Sequence, residues 1–69
     1  MKYAIVIEKT ANGYSGYVPD LPGLGAASET RRGVRRLLRE GVSIYIAEKR
    51  ARGSRPPRST TVAEYVEAV

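Results

Sequence analysis

A chain of 69 residues with no cysteine and no histidine can bury one small core, which neither a disulfide nor a Cys/His zinc site can reinforce. The same absences remove the commonest general base and the thiol nucleophile, and with them most familiar catalytic constellations. The net charge of +5 is unevenly placed: ten basic residues stand against Glu40 and Glu48 between Arg31 and Arg58, while acidic residues outnumber basic ones in the flanks.

Residues Lys2 to Lys9 alternate, with Tyr3, Ile5 and Ile7 on one side and Ala4, Val6 and Glu8 on the other. A period of two with β-branched residues predicts a first strand. Its apolar run is too short for a signal peptide or a membrane span, so a cytoplasmic location and no membrane contact are the expectation. Asn12-Gly13 follows, a pair suited to positive φ and a strong hairpin signal. Tyr14 to Val18 resumes the alternation as a second strand, and Pro19, lacking an N–H, should end its pairing. Pro19-Asp20-Leu21-Pro22-Gly23 reads as a stiff turn in which Asp20 caps locally and Gly23 takes positive φ. Leu24 to Ala27 is consistent with a brief third strand.

Thr30 is the preferred helix cap, with Ser28 the alternative. From there Val34, Leu37, Leu38, Gly41, Ile44 and Tyr45 recur at helical spacing and read as a core-facing stripe, Gly41 letting the helix lie close to the sheet. Arg32, Arg36, Arg39 and Arg50 fall on the opposite face, with Arg35 nearer the boundary. Val42 and Ile46 widen the apolar stripe and mark a candidate contact between subunits. Arg52-Gly53 should end the helix, and Arg55-Pro56-Pro57-Arg58 forms a basic connector. Residues 61–69 fit either a helix, through Val62, Tyr65, Val66 and Val69, or an edge strand. No repeat or second domain is visible, so residues 1–69 are read as one domain.

No arrangement of side chains suggests catalysis, a metal or a cofactor. Glu8 and Asp20 are the only carboxylates whose approach across a sheet is conceivable, and Asp20 already has a turn role. Two binding chemistries remain. Arg32, Arg35, Arg36, Arg39 and Arg50 form a candidate surface for a nucleic acid or an acidic partner, against the plainer reading of a solvated helix face. Self-association is the other, because a second copy can bury apolar surface that one copy of this size cannot.

Gly16-Tyr17-Val18-Pro19-Asp20-Leu21-Pro22-Gly23 resembles the signature segment of the HicB-like antitoxin family. The Ser28-Glu29-Thr30 helix start, the long helix through Ile44-Tyr45-Ile46 and the Pro56-Pro57 connector are similar to it in order and spacing. Nearly the whole chain is covered. The resemblance implies an α+β fold of order β-β-β-α-β, a three-to-four-stranded antiparallel sheet under one helix, like part of ribonuclease H but without its acidic site. It also implies a dimer or tetramer that masks a small RNA-cleaving toxin of the HicA type. The last strand, and hence a strand for residues 61–69, comes from the resemblance alone. Arg31 and Arg32 stand where the family often has acidic residues early in its helix.

Overall fold

The computed structural model describes all 69 residues. Three short strands, β1 (Val6–Lys9), β2 (Tyr14–Tyr17) and β3 (Gly25–Ser28), precede one long helix, α1 (Arg31–Ala51). The strands form an antiparallel sheet in the order β1-β2-β3. The fold is thus α+β, with α1 laid across one face of the sheet.

Register explains how the helix comes so close. Ile7 pairs with Gly16, and Gly16 with Ala26. Side chains alternate across a sheet, so this row shares one face, the face turned to α1. A Cβ on Gly16 would stand 2.8 Å from Val34 Cγ1 and 2.8 Å from the Val6 carbonyl oxygen. The bare glycine therefore seats the helix. Tyr3, Ile5, Ile7, Tyr14 and Ala26 pack around a fully buried core of Val18, Leu21, Val34 and Leu38. The opposite face of the sheet carries Val6, Glu8, Ser15, Tyr17 and Ala27 and has no covering layer.

The hairpin forms where Asn12-Gly13 predicts it, by a different device. The Thr10 N–H donates to the Gly13 carbonyl at 2.8 Å, yet neither Asn12 nor Gly13 has positive φ. The connection has four residues, so the mirror-image two-residue turn is not needed. Gly13 is required by crowding instead: a Cβ there would lie 2.4 Å from the Ser28 carbonyl oxygen at the end of β3.

Two successive turns follow β2. The Leu21 N–H donates to the Val18 carbonyl, and the Leu24 N–H to the Leu21 carbonyl. In the second turn Pro22 fixes the first central φ and Gly23 adopts φ 85° at the next position, the requirement of a type II turn. The pair of turns swings Leu21 inward to complete burial, making it a core residue as well as a turn residue.

Helix α1 is capped as its sequence suggests. The Thr30 side chain accepts from the Gly33 N–H at 3.0 Å. At the other end Gly53 takes φ 74°, while the Ser54 N–H donates to Lys49 and the Gly53 N–H to Arg50. Those two bonds make a Schellman cap. The buried stripe differs from the expected one. Val34 and Leu38 are its centre, and Val42 and Tyr45 continue it, whereas Leu37 and Ile44 face solvent, Ile44 at 63% exposure. The sheet is only three strands wide, too narrow to cover the whole apolar arc of the helix. Gly41 lies against the Leu24 side chain rather than a strand.

The fourth strand expected from the resemblance is not formed, and residues 61–69 are not helical either. Beyond Ser54 the chain makes no backbone-to-backbone hydrogen bond. A strand needs a partner edge and an amphipathic helix needs a surface, and the tail meets neither. Its protrusion shows in the dimensions: the radius of gyration is 13.5 Å and the longest extent 46 Å. A compact chain of this length would have a radius of gyration of about 11 Å.

Candidate functional site

Helical spacing brings four of the five candidate arginines together. Arg32, Arg35, Arg36 and Arg39 line one shallow depression on the outer face of α1, with no other residue type in its wall. Arg50 is elsewhere. It lies three turns further along, about 16 Å by helix rise, beside Val42, Ile46 and Tyr3. No guanidinium takes part in a side-chain hydrogen bond within the protein.

The electrostatics of this depression are unusual for a helix start. The first turn of α1 contains no acidic residue, so Arg31 and Arg32 face the positive end of the helix dipole. Cations there are disfavoured by roughly 0.3–1 kcal/mol each at an exposed site. A bound anion would relieve both the mutual repulsion and the dipole. Stacking on aromatic rings adds little here. Lys9 already sits 4.9 Å from the Tyr14 ring centre and Lys49 5.7 Å from that of Tyr45.

On the flank of α1 nearest β1 lies a second surface. The helix rests mainly on β2 and β3 and barely overlaps β1. That offset leaves an open groove between the N-terminal segment and the helix. Tyr3, Ile5, Leu38 and Val42 supply its apolar wall at one end, and Tyr3, Val42 and Ile46 at the other. Val42 and Ile46 thus line a groove while Val42 also packs on the core. Arg35 borders both this groove and the arginine depression.

The signature turn holds a feature that the sequence did not disclose. Asp20 does not cap its own turn. Its carboxylate accepts from the Thr60 N–H at 2.9 Å and the Thr61 N–H at 3.0 Å, and from the Thr60 and Thr61 hydroxyls at 3.3 and 2.7 Å. The Tyr3 hydroxyl donates to the Pro57 carbonyl. The connector is therefore latched to the body at two points. Thr61 backbone donation is the main influence lowering the Asp20 pKa from its ordinary 3.8, followed by the Thr61 hydroxyl; desolvation opposes them, and the Thr60 bonds add to the lowering. A run of hydroxyls after Pro56-Pro57 was the available signal, but forty residues separate it from its acceptor.

Asp20 and Glu8 do not come together. Glu8 pairs with Ser15 near the hairpin loop, while Asp20 lies beyond the other end of β2. No group of three or more carboxylate, histidine or cysteine side chains is arranged to hold a metal ion. No helix is long and apolar enough to cross a membrane. No family model, curated protein or solved structure matches the chain.

Proposed function

We propose that the protein is a HicB-like, antitoxin-type binding module of the cytoplasm that self-associates, performs no catalysis and masks a small RNA-cleaving toxin of the HicA type. The observation that carries this reading is the union of the β-β-β-α order with a doubly bonded Pro19–Gly23 turn whose Asp20 secures the following connector. In that reading the fold is part of a ribonuclease-H-like frame, completed by a fourth strand that a single copy leaves unpaired. An RNA-binding toxin is basic, and like charges across an interface are costly. Docking therefore uses the uncovered sheet face with Val6, Glu8 and Tyr17, away from the arginines. Tyr17 is 45% exposed and is the large side chain on that face suited to anchor a partner. Co-expression with the protein of the neighbouring small open reading frame tests the proposal. A stable complex with a small basic partner is expected; an adjacent frame encoding no such protein, with nothing co-purifying, rules it out.

A second reading is favoured by one observation of its own, the depression walled by four arginines alone, Arg32, Arg35, Arg36 and Arg39, although Glu29 lies beside Arg32 and Arg35 at its edge. Such a surface suits the phosphates of a nucleic acid, and counterion release makes that binding fall steeply with salt. Titration with short RNA and DNA duplexes at low and high salt decides it. No binding at low salt removes this reading and leaves the first intact.

A further inference from the structure

On the flank of α1 that faces residues 1–5, two rows of side chains run side by side. Leu38, Val42 and Ile46 stand four residues apart, about 6 Å by helix rise, and form the apolar floor of the groove. Arg35 and Arg39 stand three residues before Leu38 and Val42, about 60° round the helix, and border the same groove. Arg50 continues the floor row and closes its far end. Met1, Tyr3 and Ile5 build the facing wall, with Lys2 among them. We propose that this groove docks an amphipathic helix of a partner protein, one that carries acidic residues along the edge of its apolar face.

Charge selects the partner. Lys2, Arg35, Arg39 and Arg50 line the groove and no carboxylate does. None of these four side chains donates a hydrogen bond within the chain. Geometry selects a helix. A partner helix repeats its side chains at i and i+4 on the same spacing of about 6 Å, with a second row about 60° away. Apolar side chains then meet the floor while acidic ones meet the arginines, turn after turn. An extended strand sends alternate side chains to opposite sides, so it cannot serve both rows. A phosphate backbone would pair with the cations and leave the apolar floor in water. The groove is also fixed before a partner arrives. The Tyr3 hydroxyl is bonded to the Pro57 carbonyl and Ile5 packs on the core, so little ordering of the wall opposes binding. From Arg35 to Arg50 it runs about 22 Å, four helical turns, a length suited to helix-in-groove recognition.

The groove lies on the helix side of the layer, apart from the sheet face assigned to the toxin. It is tested on the purified full chain alone, so its fate is separate from that of toxin masking. The probe is a synthetic helical peptide of about 18 residues, five turns, with leucine at i, i+4 and i+7 and glutamate beside the leucines. Fluorescence anisotropy should give a Kd of about 1–100 μM, as for other small interfaces. Exchanging the leucines for serine, or the glutamates for lysine, should abolish binding. On the protein, Ile46→Glu and Arg39→Glu should each weaken it at least about tenfold. Ile46 is outside the core cluster, so the helical circular dichroism of that variant should hold. Arg36→Glu alters the outer arginine depression and not the groove, and should weaken binding less than about threefold, as expected of a screened surface charge. No binding of the leucine-glutamate peptide at about 1 mM overturns the proposal. So does equal binding of the serine peptide, which would make the surface a general polyanion site. Equal losses from Arg36→Glu and Arg39→Glu overturn it as well, by moving the contact to the outer face of α1.

Discussion

Gly16→Ala probes the contact on which the two layers depend. The added Cβ would meet Val34 Cγ1 and the Val6 carbonyl oxygen at 2.8 Å and Leu38 Cδ1 at 3.1 Å. One of those atoms is backbone within the β1–β2 ladder, and the other two belong to the fully buried helix residues. None can retreat without opening the core. Overpacking of this kind costs roughly 1–3 kcal/mol, and two contacts under 3 Å place this site at the upper end. The stiffer unfolded chain returns about 0.4–1 kcal/mol, so the net loss is about 2 kcal/mol. A domain of this size has roughly 3–10 kcal/mol in all. Thermal unfolding followed by circular dichroism, at matched concentration, should show Tm falling by about 8–16 °C. Gly41→Ala is the control. Its Cβ would meet the end of the flexible Leu24 side chain, and alanine gains about 0.8–1 kcal/mol of helix propensity. Gly16→Ala leaving Tm unchanged, or costing no more than Gly41→Ala, would refute the close seating of α1 on the sheet.

Arg32→Glu should separate stability from binding. A carboxylate in the first turn gains the dipole and a neighbour in Arg35 or Arg36, together about 1 kcal/mol, so Tm rises by roughly 4–8 °C while any affinity for a polyanion falls. Acid should release the connector. Because hydrogen bonding lowers the Asp20 pKa below 3.8, the latch is fully made above that value and is lost as pH falls through the lowered one. The Thr60 and Thr61 amide resonances should therefore hold their latched shifts at pH 4 and move together only in stronger acid; a transition above 3.8 contradicts the hydrogen-bonded carboxylate. Asp20→Asn keeps one acceptor oxygen but no charge, and should free the same two amides at neutral pH with α1 unchanged. Tyr17→Ala should weaken toxin binding at least about tenfold if Tyr17 anchors the partner, measured by calorimetry, and should leave helix content intact.

Local rules carried much of the fold. The Thr30 cap and the Gly53 terminus each depend on neighbours a few residues away, and each was legible; alternation in Tyr3, Ile5 and Ile7 located β1 but started it too early, because the paired strand begins only at Val6, opposite Tyr17. The Asn12-Gly13 hairpin was found for an incomplete reason, since Gly13 answers to the Ser28 carbonyl across the sheet rather than to its own φ. Leu37 and Ile44 fit the helical period as well as Val34 and Leu38. Only the width and offset of the sheet decide which pair is buried, and no single-chain pattern states those. For the candidate sites, spacing was enough to gather Arg32, Arg35, Arg36 and Arg39, but it also grouped Arg50 with them, and the structure places Arg50 on a different surface. Spacing was not enough for Asp20, whose partners are remote in sequence. Residues 61–69 were ambiguous because their apolar side chains find no surface within one copy.

Masking of a toxin is tested most directly by RNA cleavage with the product of the adjacent small reading frame, assayed alone and with one equivalent of this protein. Cleavage is expected to stop at stoichiometric addition and to return when Tyr17→Ala replaces the native chain. Cleavage that proceeds unchanged in the presence of excess native protein would contradict the antitoxin reading.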